Sequence, residues 1–130
     1  MTEYTISAIM RTDIITLTGE TPIRRAVAAL VDAKTPAAPV LDENGNLVGI
    51  LTQKDCFRPT LHASYHREWT GQVADFMSRD VVCVDVTDEV IRIAEMFVKE
   101  PHRVFPVLRA GQVVGLVHRS DILAFLTRFG

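Results

Sequence analysis

The stretch Gly49-Ile50-Leu51-Thr52-Gln53-Lys54-Asp55 decides how this chain is read. An apolar run from Leu47 to Leu51 ends on a hydroxyl residue, and three positions later a carboxylate stands where a helix would begin. The spacing predicts a strand that turns directly into a helix. One consequence is structural. Thr52 and Asp55 fit a capping box, in which side chain and backbone satisfy N–H groups that a first helical turn leaves unpaired. The other is chemical. A helix start exposes amide groups and the positive end of the helix dipole, so a phosphate can rest beside Thr52 while Asp55 accepts hydrogen bonds from sugar hydroxyls. The corner by itself supports both readings.

The corner occurs twice. Gly115-Leu116-Val117-His118-Arg119-Ser120-Asp121 again follows an apolar run and leads into a helix-like segment, Ile122 to Phe129. A shift of 67 carries Met10 onto Met77, and the same shift aligns Asp13-Ile14-Ile15 with Asp80-Val81-Val82 and Pro39-Val40-Leu41 with Pro106-Val107-Leu108. After one residue is lost from a turn, a shift of 66 carries Gly45 onto Gly111, Gly49 onto Gly115 and Asp55 onto Asp121. Self-similarity at a fixed period marks one supersecondary unit that has been duplicated.

Each copy reads in the same order. A Met-ended segment and a β-rich run (Ile14 to Leu17, Val81 to Val84) precede an amphipathic helix, two short strands joined by a glycine turn, the corner and a closing helix. This ordered set resembles the CBS domain, and two in tandem resemble a Bateman module. The marks that carry the resemblance are Met10 and Met77, the Pro-Val-Leu strands and the two glycine-led corners ending in Asp55 and Asp121. It covers nearly the whole chain and implies an α+β fold of two pseudo-symmetric β-α-β-β-α repeats. Residues 1–60 form the first repeat, 61–72 a linker and 73–130 the second.

Size agrees with duplication. A unit of about 60 residues buries only about 60% of its unfolded surface, so a second copy is the natural remedy. The 130 residues are 48% hydrophobic, enough for a core and for an apolar face kept for a partner. With 14 basic and 16 acidic residues, well mixed, no basic stripe tracks a nucleic-acid backbone. No apolar run reaches the 18 or so residues that cross a bilayer, and Met1 to Ile6 has no signal-like start, so a soluble, cytoplasmic chain without membrane partners is expected. Cys56 and Cys83 occupy non-equivalent places without CxxC spacing and read as buried, reduced thiols.

Along the first repeat, Thr21-Pro22 reads as a helix cap followed by proline at the first helical position. Ile23, Ala26, Val27, Leu30 and Val31 then fall on one face. Thr35-Pro36 ends the helix, Ala38 to Leu41 is a strand, and Gly45 sits where a turn wants positive φ. In the second repeat Thr87 or Asp88 caps a helix whose stripe is Val90, Ile93, Ala94, Phe97 and Val98, stopped by Pro101. In the linker, His62 and His66 would share a helix face. Ala63 stands where a zincin needs glutamate, however, and no third ligand is evident, so no metal site is expected. Trp69 reads as a lid on the core or a contact in a dimer.

The resemblance implies a nucleotide in the cleft between the repeats. One site would join Asp121, His118, Leu116 and Arg103 with Met10 and Ile15. The other would join Asp55, Thr52 and Ile50 with Met77 and Val82. The carboxylates would hold ribose hydroxyls and the apolar residues a flat base, while the His102-Arg103 pair stands where adenylate-sensing relatives reach phosphate; a guanidinium suits that task. His118 departs from the family, where Ser or Thr is expected. Protonation near pH 6.5 is expected to strengthen binding there. The first repeat has Thr35-Pro36 in place of His102-Arg103, so each site lacks one phosphate-binding element.

The expected function is a regulatory module that binds AMP, ADP or ATP, with no obligatory cofactor. Two chains would pair into a flat homodimeric disc and pass a conformational signal to an effector protein. The alternative is a structural dimerisation or interaction module without a physiological nucleotide. An enzyme is not expected: no Ser-His-Asp ordering, metal-ligand cluster, Walker loop or paired carboxylate in a cleft stands out.

Overall fold

The computed structural model describes residues 4–129; the part of the N-terminal reading that rests on residues 1–3 lies outside them. The elements run β1 (Leu17–Thr18), α1 (Ile23–Ala33), β2 (Ala37–Leu41), β3 (Leu47–Thr52), α2 (Gln53–His66), β4 (Val84–Asp85), α3 (Val90–Lys99), β5 (Val104–Arg109), β6 (Gln112–His118) and α4 (Arg119–Phe129). Short 3-10 turns at Ile6–Ala8 and Val73–Asp75 precede β1 and β4. The same α+β unit is therefore present twice, as the duplication implies.

Each copy builds a three-stranded sheet. β1 pairs parallel to β2 and β2 antiparallel to β3, and β4, β5 and β6 repeat the order. The register shifts at Val40/Leu41 and again at Val107/Leu108, the same place in each copy. Gly45 and Gly111 turn the two hairpins at φ 82 and 80, a backbone region that costs glycine little.

The compact units are not the sequence repeats. One comprises Ile15–Val81; the other joins the segment up to Ile14 with the chain from Val82 onward. In the first, Leu17, Ile23, Ala26, Leu30, Val40, Leu51, Cys56 and Val73 form the core, with Trp69 and Phe76 packed against it. In the second, Ile6, Val84, Val90, Ile93, Phe105, Val107, Val117 and Ile122 do so. Each 3-10 turn thus supplies its valine or isoleucine to the unit that does not carry the rest of its repeat.

Several expectations are corrected. The β-rich runs pair over two residues only, because a ladder forms just where β1 meets Val40–Leu41 and β4 meets Val107–Leu108. Pro22 is the N-cap of α1, not its first residue; the Thr21 hydroxyl accepts from the Thr18 N–H at 3.2 Å instead. Glu89 precedes α3 without a side-chain cap, while Asp88 accepts from the Asp85 N–H at 2.8 Å. Val31 and Val98 are 63% and 87% exposed. At about 100° per residue, eight positions carry them about 80° off the line of Ile23 and Val90. Within the linker, Leu61 to His66 continue α2 and 67–72 is irregular, which leaves the boundary between the repeats where the reading put it. Glu100, before Pro101, ends α3 as read.

Among the described residues no helix is long and apolar enough to cross a membrane. No group of three His, Cys, Asp or Glu is placed to hold a metal ion there. Cys56 is buried, and desolvation with the nearby Asp55 charge pushes its thiol up to about 11.

Candidate functional site

In both copies the corner is made by a helix that starts on the residue after the strand. β3 ends at Thr52 and α2 begins at Gln53; β6 ends at His118 and α4 begins at Arg119. The Gln53 N–H donates to the Pro36 carbonyl and the Arg119 N–H to the Arg103 carbonyl, each at 2.8 Å, which fixes where the strand stops.

A crossing segment closes each corner. Arg11 and Leu116 exchange backbone hydrogen bonds of 2.8 and 2.9 Å, and Ser78 and Ile50 exchange two of 2.9 Å. This explains the corner glycines. A Cβ on Gly115 would lie 2.5 Å from the Arg11 carbonyl oxygen and 3.3 Å from the Met10 sulfur. On Gly49 it would lie 2.9 Å from the Ser78 oxygen and 2.7 Å from the Met77 sulfur. Only glycine lets the backbones approach so closely.

The carboxylates then part ways. In the 15–81 unit the Thr52 hydroxyl accepts from the Asp55 N–H at 3.1 Å, and Oδ2 of Asp55 accepts from the Thr52 N–H at 3.0 Å, completing the capping box. Oδ1 of Asp55 takes no hydrogen bond among the described residues. In the other unit, Nε and Nη2 of Arg11 donate to Oδ2 and Oδ1 of Asp121 at 2.7 and 2.9 Å. That guanidinium holds the Asp121 carboxyl below its usual range.

The candidate residues divide between the two units. Met10, Leu116, His118, Asp121, His102 and Arg103 belong to one, with Val82 packed on its core. Ile50, Thr52, Asp55 and Met77 belong to the other, with Ile15 packed on its core. Leu116 and Ile50 are 2% and 7% exposed, and their backbone groups are spent on the crossing segments. His118 is buried; burial first and Arg11 second move its proton uptake below the ordinary 6.5, while Asp121 opposes them. The His102 ring lies beside Phe105, with Nδ1 3.7 Å from a Glu100 carboxylate oxygen. Arg103 is exposed. At the equivalent place in the other unit the Thr35 hydroxyl donates to the Ala37 carbonyl at 2.8 Å.

Sequence reasoning missed Arg11. The one available signal was the mismatch with Ser78, its equivalent under the shift of 67.

Fold and corners together define a class: a duplicated α+β unit with a carboxylate at each strand-to-helix corner. The sequence model of the CBS domain matches residues 6–59 and 73–128, and the chain belongs to the CBS-domain family.

Solved relatives carry the same fold over the whole chain. CBSX2 from Arabidopsis thaliana in complex with AMP superposes with TM-score 0.83 at 23% identity, covering 97% of this chain and 98% of that one. The CBS domain pair of protein MJ0100 in complex with 5′-methylthioadenosine and S-adenosylmethionine gives 0.84 at 24%, covering 99% and 100%. Protein MJ1225 of Methanocaldococcus jannaschii is 24% identical over 121 residues, 93% of this chain and 42% of that protein. The chain spans less than half the length of the first three curated relatives it matches, at 42%, 13% and 21%.

Proposed function

We propose that this chain is a regulatory module that binds an adenosine-containing ligand at its strand-to-helix corners and passes the resulting change to an effector protein. One observation carries the reading: the corner of each unit sets an aspartate, Asp55 or Asp121, in the first turn of a helix, at matching positions of the duplicated unit. A carboxylate there can hold a ribose diol while the helix amides meet phosphate. The AMP, methylthioadenosine and S-adenosylmethionine bound to the two fold relatives support the adenosine part of the reading.

Asp55 is the readier of the two carboxylates, because its Oδ1 accepts no hydrogen bond among the described residues while each oxygen of Asp121 accepts one from Arg11. A charged hydrogen bond contributes roughly 1.5–3 kcal/mol, so Asp55→Ala should weaken its own corner by about ten- to a hundredfold. The test is calorimetry with a thermal-shift screen of AMP, ADP, ATP, 5′-methylthioadenosine, S-adenosylmethionine and NAD. A ligand at 100 times its Kd adds about 2.7 kcal/mol of stability. No shift with any of them would overturn the reading.

A second reading is an interaction module that pairs with a copy of itself. Exposed apolar side chains favour it: Val31, Phe57 and Tyr65 on α1 and α2, and Val98 and Leu123 on α3 and α4, are 63%, 65%, 81%, 87% and 67% exposed. Light scattering would find a dimer that Phe57→Glu or Val98→Glu dissociates. A monomer at every concentration would remove this reading.

A further inference from the structure

The two corners are built on one plan but hold their carboxylates differently, and the difference lies in a single position of the crossing segment. Arg11 and Ser78 correspond under the shift of 67, and both pair through the backbone with the corner strand. Arg11 spans 110 positions to grip Asp121 with two of its N–H groups. Serine is too short to do the same, and among the described residues Asp55 bonds only within its capping box.

We propose that Arg11 sets the ligand preference of the Asp121 corner, admitting adenosine ligands that carry phosphate and turning away those that carry none. This rests on the adenosine-binding reading above. A ribose diol that grips both oxygens of Asp121 competes for the bidentate face that the guanidinium fork now occupies. Displacement breaks a bidentate charged pair and leaves a cation that has lost its partner. A neutral nucleoside offers nothing in return. A phosphate does, because the planar guanidinium fork matches phosphate oxygens as well as carboxylate ones. Arg11 thus exchanges one anion for another.

The surroundings agree. His118, beside the pair, is buried and kept from charging by burial and by Arg11 itself, so it does not substitute for the guanidinium near neutral pH. Arg11 is about half exposed, with room to swing away from the carboxylate. At the Asp55 corner Oδ1 is open, so a sugar can bind without releasing any cation, and nucleosides with and without phosphate should be treated more evenly.

The experiment uses the full chain with Asp55→Ala, so that only the Asp121 corner reports, and compares AMP with adenosine, which differ by the phosphate alone. Asp55→Asn, which keeps an oxygen for the Thr52 amide, serves if the alanine variant does not fold. AMP should bind at least about tenfold more tightly than adenosine, and adding Arg11→Ser should shrink that ratio to about threefold or less. A ratio unchanged by Arg11→Ser overturns the inference. So does a variant that binds neither ligand while the wild type binds both, since the Asp121 corner would then be closed to all; the adenosine reading would survive. If the wild type binds no adenosine ligand, that reading fails and takes this one with it. NMR titration of the Asp121 carboxyl without ligand supplies a binding-independent check. It should titrate higher in Arg11→Ser, and identical curves would remove the ion pair on which the inference stands.

Discussion

Arg11 and Ser78 occupy the same position of a duplicated unit, each bonded through its backbone to the strand that ends in the corner, yet only the arginine reaches an aspartate. The pair joins side chains 51% and 27% exposed, so its contribution to folding is modest, under about 1 kcal/mol. Asp121 holds its proton less readily folded than unfolded. The stability it adds is therefore present above its unfolded value near 3.8 and lost as pH falls through the folded value. Urea unfolding should find the wild type slightly more stable than Arg11→Ser at neutral pH, with the gap closing in acid and in 1 M salt. A gap that persists in acid would show that the guanidinium acts otherwise.

His118 shifts the other way in its effect on charge. Burial and Arg11 lower its pKa while Asp121 opposes them, so the unfolded chain takes up this proton first. Stability should decline as pH drops from about 6.5 toward the folded value, then level off for this group. The difference in unfolding free energy between His118→Thr and the wild type should change over that window and be constant above pH 8. A flat difference across the window would rule the mechanism out.

Gly115 and Gly111 should fail differently when replaced. The new methyl in Gly115→Ala meets the Arg11 carbonyl at 2.5 Å, a backbone atom tied into the crossing pair. Overpacking of this kind costs about 1–3 kcal/mol. Gly111 has nothing within 4 Å of an added Cβ, and only its φ of 80 is strained. Thermal denaturation should therefore place Gly115→Ala below Gly111→Ala. The reverse order would mean that the crossing segment moves aside freely.

Thr52 supplies the oxygen that accepts the Asp55 N–H at 3.1 Å. Thr52→Ala should lose about 0.5–2 kcal/mol, with Thr52→Ser recovering most of it. Guanidinium unfolding of the three proteins measures this. Equal loss in alanine and serine would assign the effect to the missing methyl instead.

Local features were legible because they are written in local spacing. The hairpin at Gly45, the helix stop before Pro101 and the box formed by Thr52 and Asp55 each depend on residues a few positions apart. The helix caps at Thr21 and Asp88 differ from the reading for the same kind of reason: another nearby backbone N–H competes for the oxygen or carboxylate and wins. Val31 and Val98 share the helical spacing of the stripe but lie one step around the helix from its buried line, and so stand in solvent.

What the sequence by itself determined is the duplication, the α+β order of each copy and the two corners, since period and pattern survive without knowledge of the fold. Only the tertiary structure decided that each leading segment packs outside its own repeat, why Gly49 and Gly115 must be glycine, and that Arg11 occupies Asp121 while Asp55 keeps an open oxygen. Those facts depend on which segment crosses which strand, and on a guanidinium meeting a carboxylate 110 positions away, a separation that no local pattern encodes.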